Sequence, residues 1–544
     1  MVPEGTGPGG GFLAWVLARV YLCATFAYLL IVVALWAAGI HAIEYSVTPF
    51  YAEYSPASGT PFVPLVVLLL GCAAIALVPR YVPETASVRR PLLSCWIAGA
   101  SAVVLFTAGK PRVQAWSLGL SREWAELRWH LLAFFLFAAS FGALLYTLRR
   151  VSWFDHEPSR RFVAWFLIGA TAFAFLFPGA VAMIRDGAHG IAQAYERSCC
   201  EYIHDIGVTP TIRDLFHDYT RIHPRLSIHA KVHPPGPIAL LWLLSFLVGR
   251  DPLPLSLATM FFGALGVWPL YLWAAELTNR RVALTCCVLY SLMPSIVLFT
   301  ATSADILFMP FTLTTLFLFW RALHRPSAAY ALGAGAGFAV MSLLSFSLLT
   351  VGAWFAFVSV WRFMDARFRW PAVQTASLMF HAFVLVHVAV WWWSGFDVGA
   401  CFRLSLAQFN HDQVRLDLHS PRYSSLFWRF ANPACWFFFA GVPVSVLFLW
   451  RISGLGFRGP VWTSRARASF VICALTCVVL SLMYLARGEG ERSAMYVLPF
   501  MVLPAAHLLD QAGGAARSLA PLAVTAVFLA LQCWAIESVL YTFW

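Results

Sequence analysis

The sequence has few charged residues, and its cysteines follow no metal-binding pattern. Only 11% of its 544 residues are Asp, Glu, Lys or Arg, whereas soluble domains usually have about 25%. The twelve cysteines are scattered, mostly within apolar segments, with no CxxC pair and no zinc-type spacing. We interpret them as small buried hydrophobic residues, and only the adjacent Cys199 and Cys200 form a pair to be checked. The composition is therefore not that of a soluble protein.

A continuous basic face, a short-period repeat and a low-complexity linker are also lacking. The net charge is +12, but the arginines lie in short clusters between apolar runs rather than along one surface. This distribution is typical of the cytoplasmic loops of membrane proteins, and it argues against a nucleic-acid partner. The first apolar run extends from about Gly11 past Gly39 without a tidy cleavage site, so we predict a retained span and not a signal peptide.

Long apolar runs take up most of the chain. Hydrophobic residues make up 60% of the sequence, and many runs approach the length of about 20 residues that crosses a hydrocarbon core of roughly 30 Å. The pattern predicts an all-α, polytopic helical membrane protein with about 15 transmembrane helices. The predicted spans are 12–42, 62–79, 91–109, 131–148, 161–184, 253–275, 282–302, 306–323, 328–345, 346–362, 371–394, 433–450, 469–486, 494–511 and 519–541.

We treat the chain as one membrane protein with an N-terminal four-helix region, 1–150, and a main domain, 151–544. Its arginine-rich connections should be cytoplasmic, and these are 80–90, 149–161, 278–281, 321–325, 362–369 and 451–467. They share one side only if the apolar run 236–249 does not cross the membrane. Its length of about 14 residues favours an interfacial or re-entrant helix, with Pro in the first turn, where a missing N–H costs nothing.

This topology brings the polar connections together on the outer face. The two longest loops, 185–235 and 395–432, are predicted there, as are the junction 301–308 and the short turn 486–493. The segment 109–130 is an exception, because it is assigned outside although its basic character favours the cytoplasm. Chemistry carried by polar side chains is therefore expected on the outer face.

The first outer loop concentrates proton donors and acceptors in a chain that is otherwise poor in them. Asp186 lies within a few residues of the end of a span, where partial desolvation tunes a carboxylate toward general-base chemistry. Asp205 is the second candidate base. The alternative for the first position is that Arg185 and Asp186 simply mark the water interface.

The stretch HAKVHPPGP, 229–237, joins cationic and titratable side chains to an apolar run. His229 and His233 have i,i+4 spacing, which would put both rings on one face of a helix. The two prolines that follow disfavour such a helix, so a structural zinc site is the weaker alternative. A divalent cation bound by Asp205 or Asp305 together with a phosphate is compatible with these residue types, but no spacing demonstrates it.

Two short outer connections carry further candidates. Asp305 begins a span, and ionisable residues at membrane depth are functional candidates by default, although an aspartate that caps the following helix is an equal alternative. The turn GEGER, 488–492, contains Glu489 and Arg492. The arginine is suited to pair with a phosphate through a bidentate fork, and the alternative is an ordinary salt bridge within the loop.

The last outer loop mixes aromatic and polar residues over 409–433. Aromatic rings stack on the apolar faces of sugars, while amides and carboxylates bind sugar hydroxyls. Arg422 and Tyr423 are the residues we expect to act if the loop closes over a bound sugar. An interfacial helix with the usual Trp and Tyr belt is the alternative.

These features together resemble the GT-C superfamily of membrane glycosyltransferases. The protein O-mannosyltransferase and lipid A aminoarabinose transferase branches have an acidic residue early in a long outer loop and an HPPL or KPPL element at its end. The resemblance covers about residues 160–510 and is one of pattern. HPPG replaces HPPL, and Asp186-Gly187 stands where the mannosyltransferases have an Asp-Glu pair, so the base stays open between Asp186 and Asp205.

The resemblance implies a GT-C-like catalytic domain over 151–544 and an enzyme of the cell membrane with its site on the outer side. Such enzymes move a sugar from a polyprenyl-phosphate donor to the hydroxyl of a lipid, glycan or protein acceptor. The donor phosphate lies at headgroup depth while its lipid tail stays in the bilayer, so cations beside an apolar groove suit it. Lys231, His233 and Arg492 meet that need, and Asp305 matches an acidic residue at the second outer junction.

Two other classes of protein are rivals to an enzyme. A transporter or flippase of a lipid-linked or anionic substrate needs charged residues inside its spans and usually some repeat symmetry. Here the ionisable residues concentrate in the outer loops, which counts against it. In a non-catalytic membrane scaffold, the carboxylates of these loops would be replaceable.

Overall fold

The computed structural model describes residues 124–150, 157–196, 201–325, 327–419, 425–455, 462, 464–483, 490–516 and 519–539. Within these ranges the regular structure is helical and contains no strand, which confirms the predicted all-α class. The predicted spans 12–42, 62–79 and 91–109 lie outside the described residues, as do Cys199 and Cys200.

The first half of the described chain contains eleven helices. They are α1 (Trp124–Arg150), α2 (Arg160–Asp186), α3 (Ala188–Glu196), α4 (Ile212–Ile222), α5 (Ile228–Val232), α6 (Gly236–Val248), α7 (Pro252–Ala264), α8 (Val267–Leu277), α9 (Arg280–Tyr290), α10 (Pro294–Thr302) and α11 (Phe308–His324). Side-chain oxygens of Ser159, Thr211 and Asn279 cap α2, α4 and α9, because each accepts a hydrogen bond from a backbone N–H of the first turn.

The second half follows the same plan. Its helices are α12 (Ala328–Leu344), α13 (Gly352–Met364), α14 (Arg369–Ser394), α15 (Val398–His419), α16 (Ser425–Phe439), α17 (Val442–Ser453), α18 (Arg465–Leu482), α19 (Gly490–Ser493), α20 (Leu498–Ala516) and α21 (Ala520–Val539). Short 3-10 turns connect several of them, among them Tyr202–Asp205 and Ala304–Leu307.

Six helical stretches in the described chain are long and apolar enough to cross a membrane, or seven if the bent pair α9–α10 counts as one span. The six are Arg160–Met183, Pro252–Leu277, Ala304–His324, Phe346–Met364, Arg369–Ser394 and Arg465–Leu482. In its described part, every predicted span from 131–148 onward coincides with one helix, with two consecutive helices, or with a 3-10 turn and the helix that follows it. The protein is thus a polytopic helical membrane protein, and α6, with 13 residues, is as short as the predicted interfacial helix.

Proline and glycine divide several predicted spans into two helices. The 282–302 run bends by 54° between α9 and α10, where Pro294 occupies the first turn of the second helix. The 433–450 run breaks at Gly441, whose φ of 94° is a conformation that favours glycine. The helices that result are shorter than the runs of hydrophobic sequence that contain them.

The helices pack unevenly around the core. Helix α2 contacts α1, α10 and α21, and α12 lies between α11 and α14. Helix α14 is the most peripheral span, because only 17% of its most apolar stretch is buried, against 39% to 67% in the other five spans. Its exposed tryptophans, Trp370, Trp391 and Trp392, lie at its two ends, as expected for side chains at the lipid–water boundaries.

Arginine-rich connections share one end of the helices. Arg321, at the end of α11, forms an ion pair with Glu276, at the end of α8. Arg280, at the start of α9, donates to the carbonyl of Pro158 at 3.0 Å, and Arg465, at the start of α18, donates to the carbonyl of Glu276 at 3.1 Å. Helix α11 extends about 20 Å from Phe308 to Arg321. The arginine-rich end is therefore well separated from the end at which α11 begins.

Candidate active site

The polar segment after α2 folds back onto the helix that precedes it. Gly187 takes a φ of 58°, and α3 then runs so close to α2 that a Cβ on Gly190 would overlap the carbonyl oxygen of Ala182. Asp186 is the last residue of α2, and its side chain lies outside the described side chains. At the other end of α3, the Tyr195 hydroxyl is 2.9 Å from Thr259 Oγ1, which ties the segment to α7.

Asp205 joins two parts of this segment. Its carboxylate accepts hydrogen bonds from Ser227 N at 3.0 Å and from Ser227 Oγ at 2.7 Å. The residue is only 3% exposed. Burial raises the pKa of Asp205, and the two hydrogen bonds from Ser227 lower it in part. The carboxylate therefore fixes the start of α5, the short helix that carries Lys231.

Tyr219 fixes the other end of α5. The hydroxyl of this fully buried tyrosine lies 2.7 Å from the carbonyl oxygen of Ala230 and 2.8 Å from that of His233. His223 Nε2 adds a hydrogen bond to the carbonyl of Lys231 at 2.8 Å. The Ala230 carbonyl also accepts a hydrogen bond from His233 N at 3.2 Å, so these bonds together hold the end of α5 and set the position of the HPPG stretch.

HPPG occupies a narrow space at the start of α6. A Cβ on Gly236 would overlap the carbonyl oxygen of Leu343, at the end of α12, so glycine is required where the resemblance has leucine. The ring of His233 meets Tyr202 edge-on, with centroids 5.8 Å apart. Burial lowers the pKa of His233 to about 4, so the imidazole is neutral near pH 7.

Arg492 and two carboxylates form a buried charge cluster. Arg492 Nη1 lies 3.4 Å from Asp305 Oδ2 and 3.9 Å from Glu201 Oε1. The side chains of the three residues are 6%, 11% and 1% exposed, respectively. His229 Nδ1 lies 3.3 Å from the same oxygen of Glu201. Three distant parts of the sequence therefore meet in one cluster, which we call the arginine cluster (Glu201, His229, Asp305 and Arg492).

The charge balance of the arginine cluster is unusual. Burial of charge is costly unless the charges are paired, yet two carboxylates share one guanidinium. Asp305 is not a helix cap by its side chain, since its backbone N donates to Ser303 Oγ at 3.2 Å and the carboxylate faces Arg492. The same hydroxyl lies 3.5 Å from Arg492 Nη1. His233 is close enough that Asp305 and Arg492 both influence its pKa.

The second long polar segment flanks the arginine cluster. Helix α15 packs on α4 and α5, and α16 packs on α19, which carries Arg492. Gly490 lies against Trp436 of α16, so this close contact positions the neighbouring arginine. Among the predicted site residues, Arg422, Tyr423 and Glu489 lie outside the described residues.

Helix α4 connects the site to the peripheral span α14. Arg213 Nε donates to the carbonyl of Trp393 at 2.8 Å, and His217 Nδ1 donates to that of Ser394 at 2.8 Å. Phe216 packs edge-on against the Trp393 ring, with centroids 5.8 Å apart. The HPPG stretch, the arginine cluster and the end of an exposed apolar helix thus lie at one end of the domain.

The structure brings together some of the predicted residues and adds others. Asp305, His233 and Arg492 lie close together. Asp205 binds the start of the neighbouring helix α5, and Lys231 lies on that helix. Glu201 was not singled out by the sequence, because it was one acidic residue among several in its loop. Among the described residues, no group of three or more His, Cys, Asp or Glu side chains is arranged to hold a metal ion.

Part of the chain matches a known protein family. Residues 232–393 match the family model of dolichyl-phosphate-mannose-protein mannosyltransferase. The matched segment begins one residue before HPPG and contains Asp305. No curated protein matches the chain.

Proposed function

We propose that the chain is a membrane glycosyltransferase of the GT-C superfamily, as the match over residues 232–393 supports, and that it transfers a sugar from a polyprenyl-phosphate donor to an acceptor hydroxyl at the outer face of the membrane. The observation that carries the proposal is the buried arginine cluster beside His233, at the start of an apolar helix too short to cross the bilayer. A lipid carrier needs cations at this depth, next to an apolar surface.

The donor phosphate is assigned to cationic and hydrogen-bonding groups on two segments. Arg492 offers a planar fork that matches two phosphate oxygens, and Lys231 supplies a mobile ammonium from α5. His233, neutral because of its lowered pKa, donates a hydrogen bond rather than charge. Leu243, Phe246 and Leu247 of α6 are exposed and offer the polyprenyl tail an apolar surface farther along the helix that HPPG begins.

The general base is assigned to Asp186 or Asp205, and the two positions differ. Asp186 ends a span and belongs to the acidic position that the resemblance implies. Asp205 has a raised pKa, which suits a base, but its carboxylate already accepts two hydrogen bonds from Ser227. We therefore favour Asp186 as the base and a positioning role for Asp205 through Ser227 and α5.

The reaction proceeds by one inverting displacement. The base takes the proton of the acceptor hydroxyl, and the oxygen attacks the anomeric carbon as the bond from that carbon to the phosphate oxygen breaks. The polyprenyl phosphate leaves with the bonding electrons, stabilised by Arg492 and Lys231. Asp305, Arg422, Tyr423 and Glu489 are assigned to contacts with the sugar or the closing loop. A divalent cation on the phosphate is compatible with this scheme and is tested by chelation.

Transfer of radiolabelled sugar from polyprenyl-phosphate donors tests the proposal. Membranes of cells that express wild type, Asp186→Asn or Asp205→Asn are compared, with immunoblotting to equalise the amount of each protein. Wild-type membranes should transfer label, Asp186→Asn should not, and Asp205→Asn should be impaired. Equal transfer by all three proteins would refute the mechanism, whereas movement of lipid-linked sugar without bond formation would identify a transporter.

A further inference from the structure

Glu201 is a buried carboxylate to which the reaction above gives no role. Its side chain is 1% exposed, and neither of its oxygens accepts a hydrogen bond from a described residue. The oxygen Oε1 nevertheless lies 3.3 Å from His229 Nδ1 and 3.9 Å from Arg492 Nη1. A buried carboxylate held only by ion pairs is expensive for the fold, which points to a function that uses the charge.

The geometry makes Arg492 the shared partner of two acids. The same nitrogen, Nη1, faces Asp305 and Glu201. In the proposed reaction this guanidinium must bind the donor phosphate, whose negative charge is repelled by the two carboxylates that already face Nη1. Phosphate and carboxylates therefore compete for the same cation.

His229 is a second partner for Glu201 when Arg492 binds a phosphate. When Arg492 turns to a phosphate, Glu201 Oε1 keeps His229 Nδ1 at 3.3 Å. The carboxylate of Glu201 is thus not left without a partner in a buried place. No comparable second partner would be needed if the pairing with Arg492 were permanent.

We propose that Glu201, together with Asp305, holds Arg492 while the site is empty, yields it to the phosphate of the donor, and recaptures it when polyprenyl phosphate leaves. Glu201 is thus a positioning residue that acts through Arg492. The inference rests on the proposed function, because the phosphate that takes over Arg492 is that of the lipid carrier.

The exchange predicts an unusual pair of effects for Glu201→Gln. Removing one competing charge leaves Arg492 more available, so polyprenyl phosphate should bind about fivefold more tightly, the effect of a modest ion pair. The same change slows recapture of Arg492 and release of the product. Both the KM for donor and kcat should therefore fall, whereas a merely structural role would weaken binding.

Binding is measured with polyprenyl phosphate itself, labelled with a fluorophore, on the full chain purified in detergent. Glu201→Asp keeps the charge and should keep wild-type affinity, while Asp305→Asn should tighten binding as Glu201→Gln does. Glu196→Gln is the matched control, because this more exposed carboxylate of the same segment pairs with His189 and not with Arg492. Melting temperatures show whether each variant is folded.

The outcomes separate the two proposals. If wild type binds polyprenyl phosphate no better than uncharged polyprenol, the glycosyltransferase assignment fails and the exchange fails with it. If wild type binds the phosphate but folded Glu201→Gln and Asp305→Asn bind it equally or less tightly, only the exchange is overturned. If Glu201→Gln does not fold, the comparison of Asp305→Asn with wild type decides in the same way.

Discussion

The two ends of the helical domain both contain arginine–carboxylate pairs, but they differ in balance and burial. At the arginine-rich end, Arg321 pairs with Glu276 and Arg281 with Asp510, so each cation has its own acid, and the two arginine side chains are 18% and 35% exposed. In the arginine cluster, one almost fully buried guanidinium serves two acids. Paired, partly exposed charges contribute to folding and topology. A buried guanidinium shared by two carboxylates is instead more typical of a functional site than of a structural ion pair.

Replacing Arg492 should give the largest effect. Arg492→Lys keeps the charge but loses the bidentate fork, and we expect transfer to fall by about 100-fold to 1000-fold. Arg492→Ala also leaves Glu201 and Asp305 buried without their cation, which should lower the free energy of unfolding by about 3–5 kcal/mol. Sugar transfer and chemical denaturation measure the two effects.

Arg281→Lys is the matched change at the other end, because Arg281 Nε lies 3.6 Å from Asp510 Oδ1. It should leave transfer unchanged and alter stability by no more than about 1 kcal/mol. If the two lysine variants lost transfer to the same extent, the functional difference between the ends would disappear.

Measuring sugar transfer and stability together should distinguish the roles of Asp186 and Asp205. Asp186→Asn is expected to reduce transfer by about 100-fold or more at nearly unchanged stability, since a base is lost. Asp205→Asn should lower the melting temperature as well, because the amide presents only one oxygen to Ser227 N and Oγ. The assignment would reverse if Asp205→Asn abolished transfer while Asp186→Asn left it intact.

Tyr219→Phe should have a smaller effect, confined to the end of α5 and the HPPG stretch after it. The variant loses the hydroxyl that reaches the carbonyls of Ala230 and His233. Ala230 keeps the N–H of His233, so the cost of about 1–3 kcal/mol for a buried carbonyl that loses its partner falls on His233. We expect a lower melting temperature and a higher KM for donor at similar kcat. Tyr330→Phe, on α12, is the control and should change neither kinetic constant.

The smallest effect concerns pH. His233 has a pKa of about 4 in the folded protein against an ordinary value of 6.5, so between these values the unfolded chain binds a proton that the folded chain does not. Stability should therefore fall as the pH is lowered through this window. Asp205 contributes the opposite pH dependence. Because its pKa is raised, the folded form holds a proton more strongly than the unfolded chain, so this contribution to stability increases as the pH falls.

His233→Asn isolates the contribution of the histidine, since Asp205 is the same in both proteins. The difference in melting temperature between pH 7 and pH 4.5 should be smaller in the variant than in wild type. His189→Asn, a change at an exposed histidine, should behave like wild type. Identical pH dependence in all three proteins would contradict a buried, neutral His233.

Helix positions were largely predictable because length and hydropathy determine them. The prediction 371–394 became α14, Arg369–Ser394, and 161–184 became α2, Arg160–Asp186. What the hydropathy pattern did not give was the division of apolar runs into two helices, as at Gly441 and Pro294. A break depends on which neighbour packs against the chain, and at Gly441 that neighbour is Leu529.

The candidate site was predictable by residue type but not by contact. Asp305 and Arg492 were singled out because ionisable groups are rare near spans, and the structure pairs them. Glu201 carried no local signal, since its burial depends on Arg492, which lies far along the sequence. The roles of Asp186 and Asp205 stay predictions until the variants are measured.

The missing Cβ of Gly236 has a consequence for protein engineering. Because its backbone touches the carbonyl of Leu343, the glycine and leucine versions of this motif are not interchangeable parts. A chimera that received a leucine here would have to push away the end of α12, and α6 would tilt with it. Exchange of HPPG for HPPL between homologous proteins therefore requires a compensating exchange around residue 343.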